Sequence, residues 1–198
     1  MITHSTSSRR ASSVSFLGQD PQATLAWSQG SDGEQRLARH LQRALADRVV
    51  LLHDRTVPRT LGTIEHLAVA ESGIWVIDAN NSSGSVERRD VGPWLSVDHR
   101  LYVGGRNVTR LVDELGWQVG AVESALGDLD LPVHGALCFT DASWQLFRRP
   151  FQIRDVWVTW ADALTRALAA PGPLSDGDVM QTALGLAETL RPASSASR

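Results

Sequence analysis

The sequence predicts an α/β domain in which a mixed sheet is covered by helices, and three observations carry that expectation. Helical stripes of leucine and valine alternate with short β-branched and aliphatic runs along a chain of 198 residues. A composition of 42% hydrophobic and 21% charged residues suits a chain that buries a core. The segments run helix, three strands, hairpin, long helix, strand and further helices, an order that fits helices packed on one sheet. One domain is expected over residues 29–191, with weakly ordered tails at 1–28 and 192–198.

The opening MITHSTSSRRASSVSF is rich in Ser and Arg but has no apolar middle, so it reads as a frayed tail and not as a secretory signal. Gly30-Ser31-Asp32-Gly33-Glu34 introduces a helix over 33–46, with Ser31 or Asp32 as the N-cap. Leu37, Leu41 and Leu45 form its apolar stripe, and Glu34, three residues before Leu37, is expected to point inward with them. A carboxylate favoured by the positive end of the helix dipole is the plain account of Glu34. Residues 49–55 read as a strand, and Pro58 turns 56–60 into a loop.

The stretch 62–84, GTIEHLAVAESGIWVIDANNSSG, reads as two strands joined by a tight turn at Glu71-Ser72-Gly73. Alternation puts Ile74, Val76, Asp78 and Asn80 on one face and Trp75, Ile77 and Ala79 on the other. Pairing across the turn brings Glu65 toward Asp78.

A meander follows: a strand over 85–89, a break at Gly92-Pro93, a resumed strand over 94–97, a turn at 98–100 and a strand over 101–103. In the helix predicted over 108–126, Leu111, Leu115, Val122 and Leu126 mark one face, with Val112 and Val119 beside it. Gln118 falls within that face, where an unsatisfied amide costs about 1 to 3 kcal/mol; it either finds partners or sits at the exposed edge. Residues 134–139 read as a buried strand and 154–159 as a short edge strand, before a helix over 161–169. After Pro171-Gly172-Pro173 a last helix over 176–190 opens with Ser175-x-x-Asp178, a pattern like a capping box, and carries Val179, Ala183, Ala187 and Leu190 on one stripe.

Composition also excludes. The net charge of −3 gives no broad attraction for nucleic acid, so any such binding must rest on a local patch. The single cysteine, Cys138, rules out an internal disulfide and a Cys-rich zinc site and reads as a small core residue. No run of about 18 apolar residues is present, so no membrane span is expected and a cytoplasmic location is. The chain has no lysine, so every basic side chain other than histidine, 19 in all, is an arginine. His53, His66, His99 and His134 lack metal-ligand spacing and read as structural. Trp75, Trp94, Trp117, Trp144, Trp157 and Trp160 read as core packing or a partner surface rather than as base-stacking platforms, which need exposed aromatics beside basic groups. Arg88, Arg89, Arg100, Arg106 and Arg110 give the hairpin region a modest basic bias that a solvated face explains equally well.

Three acids stand out: Glu34 on the first helix, Glu65 and Asp78 on the paired strands. Two carboxylates a few ångströms apart bind a hard cation such as Mg2+. Spacing alone does not separate that from acids that are only solvated.

Gly30-x-x-Gly33-Glu34, Gly62-Thr63-Ile64-Glu65-His66-Leu67-Ala68-Val69 and Gly73-Ile74-Trp75-Val76-Ile77-Asp78-Ala79-Asn80 together resemble the pattern of the nuclease-related domain family, NERD, of the PD-(D/E)xK nuclease-like superfamily. The similarity continues through Gln118 and Leu137-Cys138-Phe139-Thr140-Asp141. The resemblance implies a restriction-endonuclease-like α/β/α core and a Mg2+ or Mn2+ site at Glu65, Asp78 and the carbonyl of Ala79. It also implies supporting roles for Glu34 and Gln118, and nucleic acid, DNA first, as the partner.

Two positions depart from the pattern: Glu65 stands where the family usually has aspartate, and Asn80 stands where it has a lysine that positions water. Asparagine hydrogen-bonds water but is neither charged nor basic at neutral pH. With no lysine elsewhere, Arg59, Arg88 or Arg36 remain to supply charge, Arg59 and Arg88 doing so as nucleic-acid contacts. Arginine holds phosphate more readily than it activates water. A weakened metal-dependent phosphodiesterase and an inactive binding module are both expectations at this point.

Overall fold

The computed structural model describes residues 15–16, 32–45, 48–58, 60, 62–144 and 149–192. In chain order the elements are β1 (Ser15–Phe16), α1 (Asp32–Leu45), β2 (Val50–Thr56), β3 (Thr63–Ala70), β4 (Gly73–Asn80), β5 (Gly84–Asp90), β6 (His99–Val103), β7 (Arg106–Asn107), α2 (Thr109–Leu126), β8 (Val133–Phe139), β9 (Ala142–Ser143), β10 (Phe151–Ile153), β11 (Val156–Thr159), α3 (Ala161–Leu168) and α4 (Asp176–Thr189).

β4 and β8 read as continuous apolar runs because they are buried on both faces, the position such strands take at the centre of a parallel pair. They pair in parallel from Ile74 opposite Val133 to Asn80 opposite Phe139. Around them a seven-stranded mixed sheet runs in the order β1-β2-β3-β4-β8-β11-β10. β3 and β4 are an antiparallel hairpin closed by Glu71-Ser72, with Ala70 opposite Gly73. Gly73 takes φ +126, which a side chain rarely adopts, and its neighbour Ile74 donates its amide to the Pro132 carbonyl at 2.9 Å.

Helices cover both faces. On one, Leu37, Leu41 and Leu45 of α1 and Leu164 and Leu168 of α3 pack with Trp75, Ile77, Ala136 and Cys138. On the other, Val112, Leu115, Val122 and Leu126 of α2 and Val179, Ala183, Leu186 and Ala187 of α4 pack with Val69, Val76 and Leu137. This is the mixed α/β sheet flanked by helices that the sequence predicts, and the apolar stripes of the first and last helices face inward as read. The capping box at Ser175 and Asp178 is present in both directions. A second sheet, β7-β6-β5-β9, branches off after Asn80 and lays Val86, Leu101 and Val103 on the α2 side.

Three expectations are corrected. Residues 94–97 form a turn and loop, and the strand begins at His99, so the meander is a longer-tipped hairpin. The Gly92-Pro93 break is not followed by a partner strand, and Trp94 (97% exposed) and Leu95 (91%) stand in solvent, which removes core packing from the two readings of Trp94. Residues 154–159 are not one edge strand: Arg154 and Asp155, at φ 49 and 65, make a turn between β10 and β11. β11 then pairs with β8, and β10 takes the edge.

At the start of α1, Gly33 closes the helix onto the carboxyl ends of β4 and β8. A Cβ there would lie 2.6 Å from Thr140 Oγ1 and 2.9 Å from Asn81 Cβ. Gly33→Ala is therefore expected to destabilise the fold by about 1 to 3 kcal/mol through overpacking, read as a fall in Tm. An unchanged or raised Tm, as helix propensity alone would give, contradicts the close approach.

Candidate functional site

β4 changes character at Ile77. Up to that residue it is buried, and from Asp78 to Asn80 it is half-buried. The change falls at the carboxyl ends of the parallel strands, the side on which open α/β sheets place their ligands. β3 begins at the same end, since it runs antiparallel to β4. The β3–β4 ladder runs from Ala70 opposite Gly73 to Leu67 opposite Val76 and stops two residues short of Glu65 and Asp78. The side chains of Glu65 and Glu34, and all of Arg59, lie outside the described residues.

A cavity of about 520 Å3 opens here, lined by Gly62, Thr63, Ile77, Asp78, Asp113, Glu114, Trp117 and Gln118. It brings Asp78 and Gln118 to one place, although 40 positions separate them in sequence. α2 delivers Gln118 because its buried residues, Val112, Leu115 and Val122, seat the helix on the sheet and leave Gln118 half-buried at the edge of that face. Its amide makes no hydrogen bond to the described residues, so at this edge it is open to water or ligand.

The lining is acidic. Asp113 is held by Arg154, and Glu114 accepts from Arg110 NH1 at 2.7 Å. Arg154 also lies 3.8 Å from Asp98. Asp78, Asp113 and Glu114 all line the cavity, and a lining rich in carboxylates attracts a cation. The donors are hard oxygens, the Asp78 carboxylate and the Gln118 amide, which fit a Mg2+-like ion. Among the described residues no group of three His, Cys, Asp or Glu side chains converges as a complete metal site.

The other predicted residues lie apart from this lining. Asn80 Oδ1 accepts the Ser82 amide at 2.9 Å, and the Asn80 carbonyl accepts the Thr140 amide at 3.0 Å. Arg88 stands over the Phe151 ring at 5.6 Å and donates to the Gln152 carbonyl at 3.4 Å. Arg36 pairs with Asp141 and lines a different cavity, with His40, Trp144 and Trp160. Ala79 is paired opposite Cys138 in the sheet.

Sequence reading missed Asp113, Glu114 and Trp117. The signal was there: Asp113 with Trp117, and Glu114 with Gln118, are four apart and share a side of α2. Trp117 is 48% exposed, so it is not core.

A scan against protein families matches the model described as "Nuclease-related domain" over residues 29–140. The chain belongs to the NERD family. The match takes in every residue lining the cavity and ends at Thr140, whereas the sheet of this NERD protein continues through β11. Neither a curated protein nor a solved structure matches the chain. No helix among the described residues is long and apolar enough to cross a membrane.

Two titrating groups flank the acidic end. Burial, aided by the charge of Asp78, pushes the Cys138 thiol up to about 12, so it is an inert core thiol at neutral pH. Burial alone lowers His66 to about 4. An unfolded histidine, near 6.5, binds a proton that folded His66 refuses, so its contribution is present above pH 6.5 and is lost as pH falls toward 4. Stability measured by denaturant unfolding is expected to drop by roughly 3 kcal/mol across that window, and His66→Leu to flatten this part of the profile. Identical profiles for the two proteins contradict a buried neutral histidine.

Proposed function

We propose that this chain is a divergent NERD domain, spanning residues 29–191, that binds nucleic acid through a divalent-cation site. In this reading it hydrolyses phosphodiester bonds weakly or not at all. The observation that carries the reading is that Asp78 and Gln118, far apart in sequence, line one acidic cavity at the carboxyl end of the sheet. Glu65 and Asp78, with the Ala79 carbonyl, would hold Mg2+ or Mn2+; Glu34 and Gln118 would support them. When bound, such an ion lowers the pKa of a water and offsets charge on a phosphate.

The residues of the chain would divide the remaining work. Gln118 would orient water or ligand through its open amide. Arg110 and Arg154, already held against cavity acids, would offset part of the phosphate charge, with Arg59 and Arg88 contacting the strand farther out. Asn80 would supply a hydrogen bond where the family's lysine supplies a charge. Losing one preorganised electrostatic contact of that kind costs about 10²- to 10³-fold in rate.

The rival reading, an inactive module that retains binding, draws on Asn80 itself. Its side-chain oxygen is engaged by Ser82, and the chain contains no lysine to stand in. Substitutions separate the two. Mg2+ is expected to raise the Tm of the protein, and Asp78→Ala to abolish that rise; no metal-dependent shift in either protein sinks the metal site. Asn80→Lys is expected to raise cleavage of plasmid or single-stranded DNA by about 10²-fold. Cleavage by Asn80→Lys alone, with none by the parent, favours the inactive module.

A further inference from the structure

We infer that Trp117 is a stacking platform for an unpaired base, which makes single-stranded or locally opened nucleic acid the preferred ligand of the cavity. The inference rests on the nucleic-acid reading above and adds to it the class of strand. Trp117 lines the same cavity as Asp78, and nearly half of its surface is exposed. Its six-membered ring is set against the loop before β3: a Cβ on Gly62 would lie 2.1 Å from Cη2 and 2.7 Å from Cζ3. The absence of a side chain at residue 62 is what lets the indole sit there. An exposed ring in a fixed position loses little freedom when a flat ligand stacks on it.

Arg110 and Arg154 beside the cavity are already engaged by Glu114 and Asp113 and so give a strand little purely electrostatic hold, whereas stacking does not depend on charge and accepts any base. In a duplex both faces of each base are already covered by neighbours, and exposing one costs a few kcal/mol. An unpaired base reaches the indole without that cost. The cavity, about 520 Å3, is within the size range of small-ligand sites. The competing account is that Trp117 only shields Gly62 and the edge of the sheet.

The test uses the full chain in Mg2+, with a fluorescent oligothymidylate and a duplex of the same length, followed by anisotropy. The wild type is expected to bind the single strand more tightly than the duplex. Trp117→Ala is expected to weaken single-strand binding by about 5- to 100-fold and to leave duplex binding unchanged. Trp117→Phe, which keeps a stacking face, is expected to restore most of the loss. Equal affinity of Trp117→Ala and wild type for the single strand overturns the inference. So does a parallel loss on both ligands in Trp117→Ala that Trp117→Phe shares, because that is a structural effect. A wild type that binds neither ligand, while still showing its Mg2+-dependent Tm shift, overturns the nucleic-acid reading itself and the stacking role with it.

Discussion

The pairing of β4 between β3 and β8 is the constraint on which the rest of the molecule depends. Both edges of β4 are hydrogen-bonded, antiparallel on one side and parallel on the other, so the strand cannot slide without turning its apolar residues to the wrong face. Its apolar run stops at Ile77. With the parallel pairing to β8 held through Asn80, Asp78 emerges at the carboxyl end of the sheet, beside β8 and the start of α1. The position of the acidic cavity thus follows from the hydrophobic register, not from attraction among the acids, which repel one another.

That repulsion needs an offset, and the chain meets it unevenly. Asp113 and Glu114 are each held by an arginine from the same region, Arg154 and Arg110. Exposed pairs of this sort contribute little to stability; their importance is to the local field. The arginines come from the β10–β11 turn and from α2 itself, while Arg88, which sequence reading favoured, is occupied over Phe151. Two arginines of a chain that has no lysine thus stand beside the cavity acids, and neither can serve as a base at neutral pH.

The hairpin that extends from β4 shows how far local pattern can be trusted. β5 and β6 pair as a hairpin because Val86, Leu101 and Val103 find a buried face against α2. Between them Trp94 and Leu95 look equally apolar in the sequence, yet nothing among the described residues covers them. Alternation identifies a strand only when there is a surface to receive one of its faces. The same reason explains Trp117: it sits on a helix that packs well, but on the side turned toward the opening and not toward the sheet.

By itself the sequence determined the element order, the helical stripes at Leu37, Leu41 and Leu45 and at Val179, Ala183 and Ala187, the β3–β4 turn, the buried state of Cys138 and the family. All of these are local or rest on contiguous motifs, and short-range periodicity suffices for them. The tertiary structure alone decided which acids share a cavity, that Arg110 and Arg154 flank it and that Trp117 stands exposed within it, and it sets Gln118, to which the family resemblance already pointed, in the same lining. Those facts depend on how a helix more than thirty residues downstream is seated against the sheet. Seating is set by the summed packing of many side chains, a quantity that no single stretch of sequence contains.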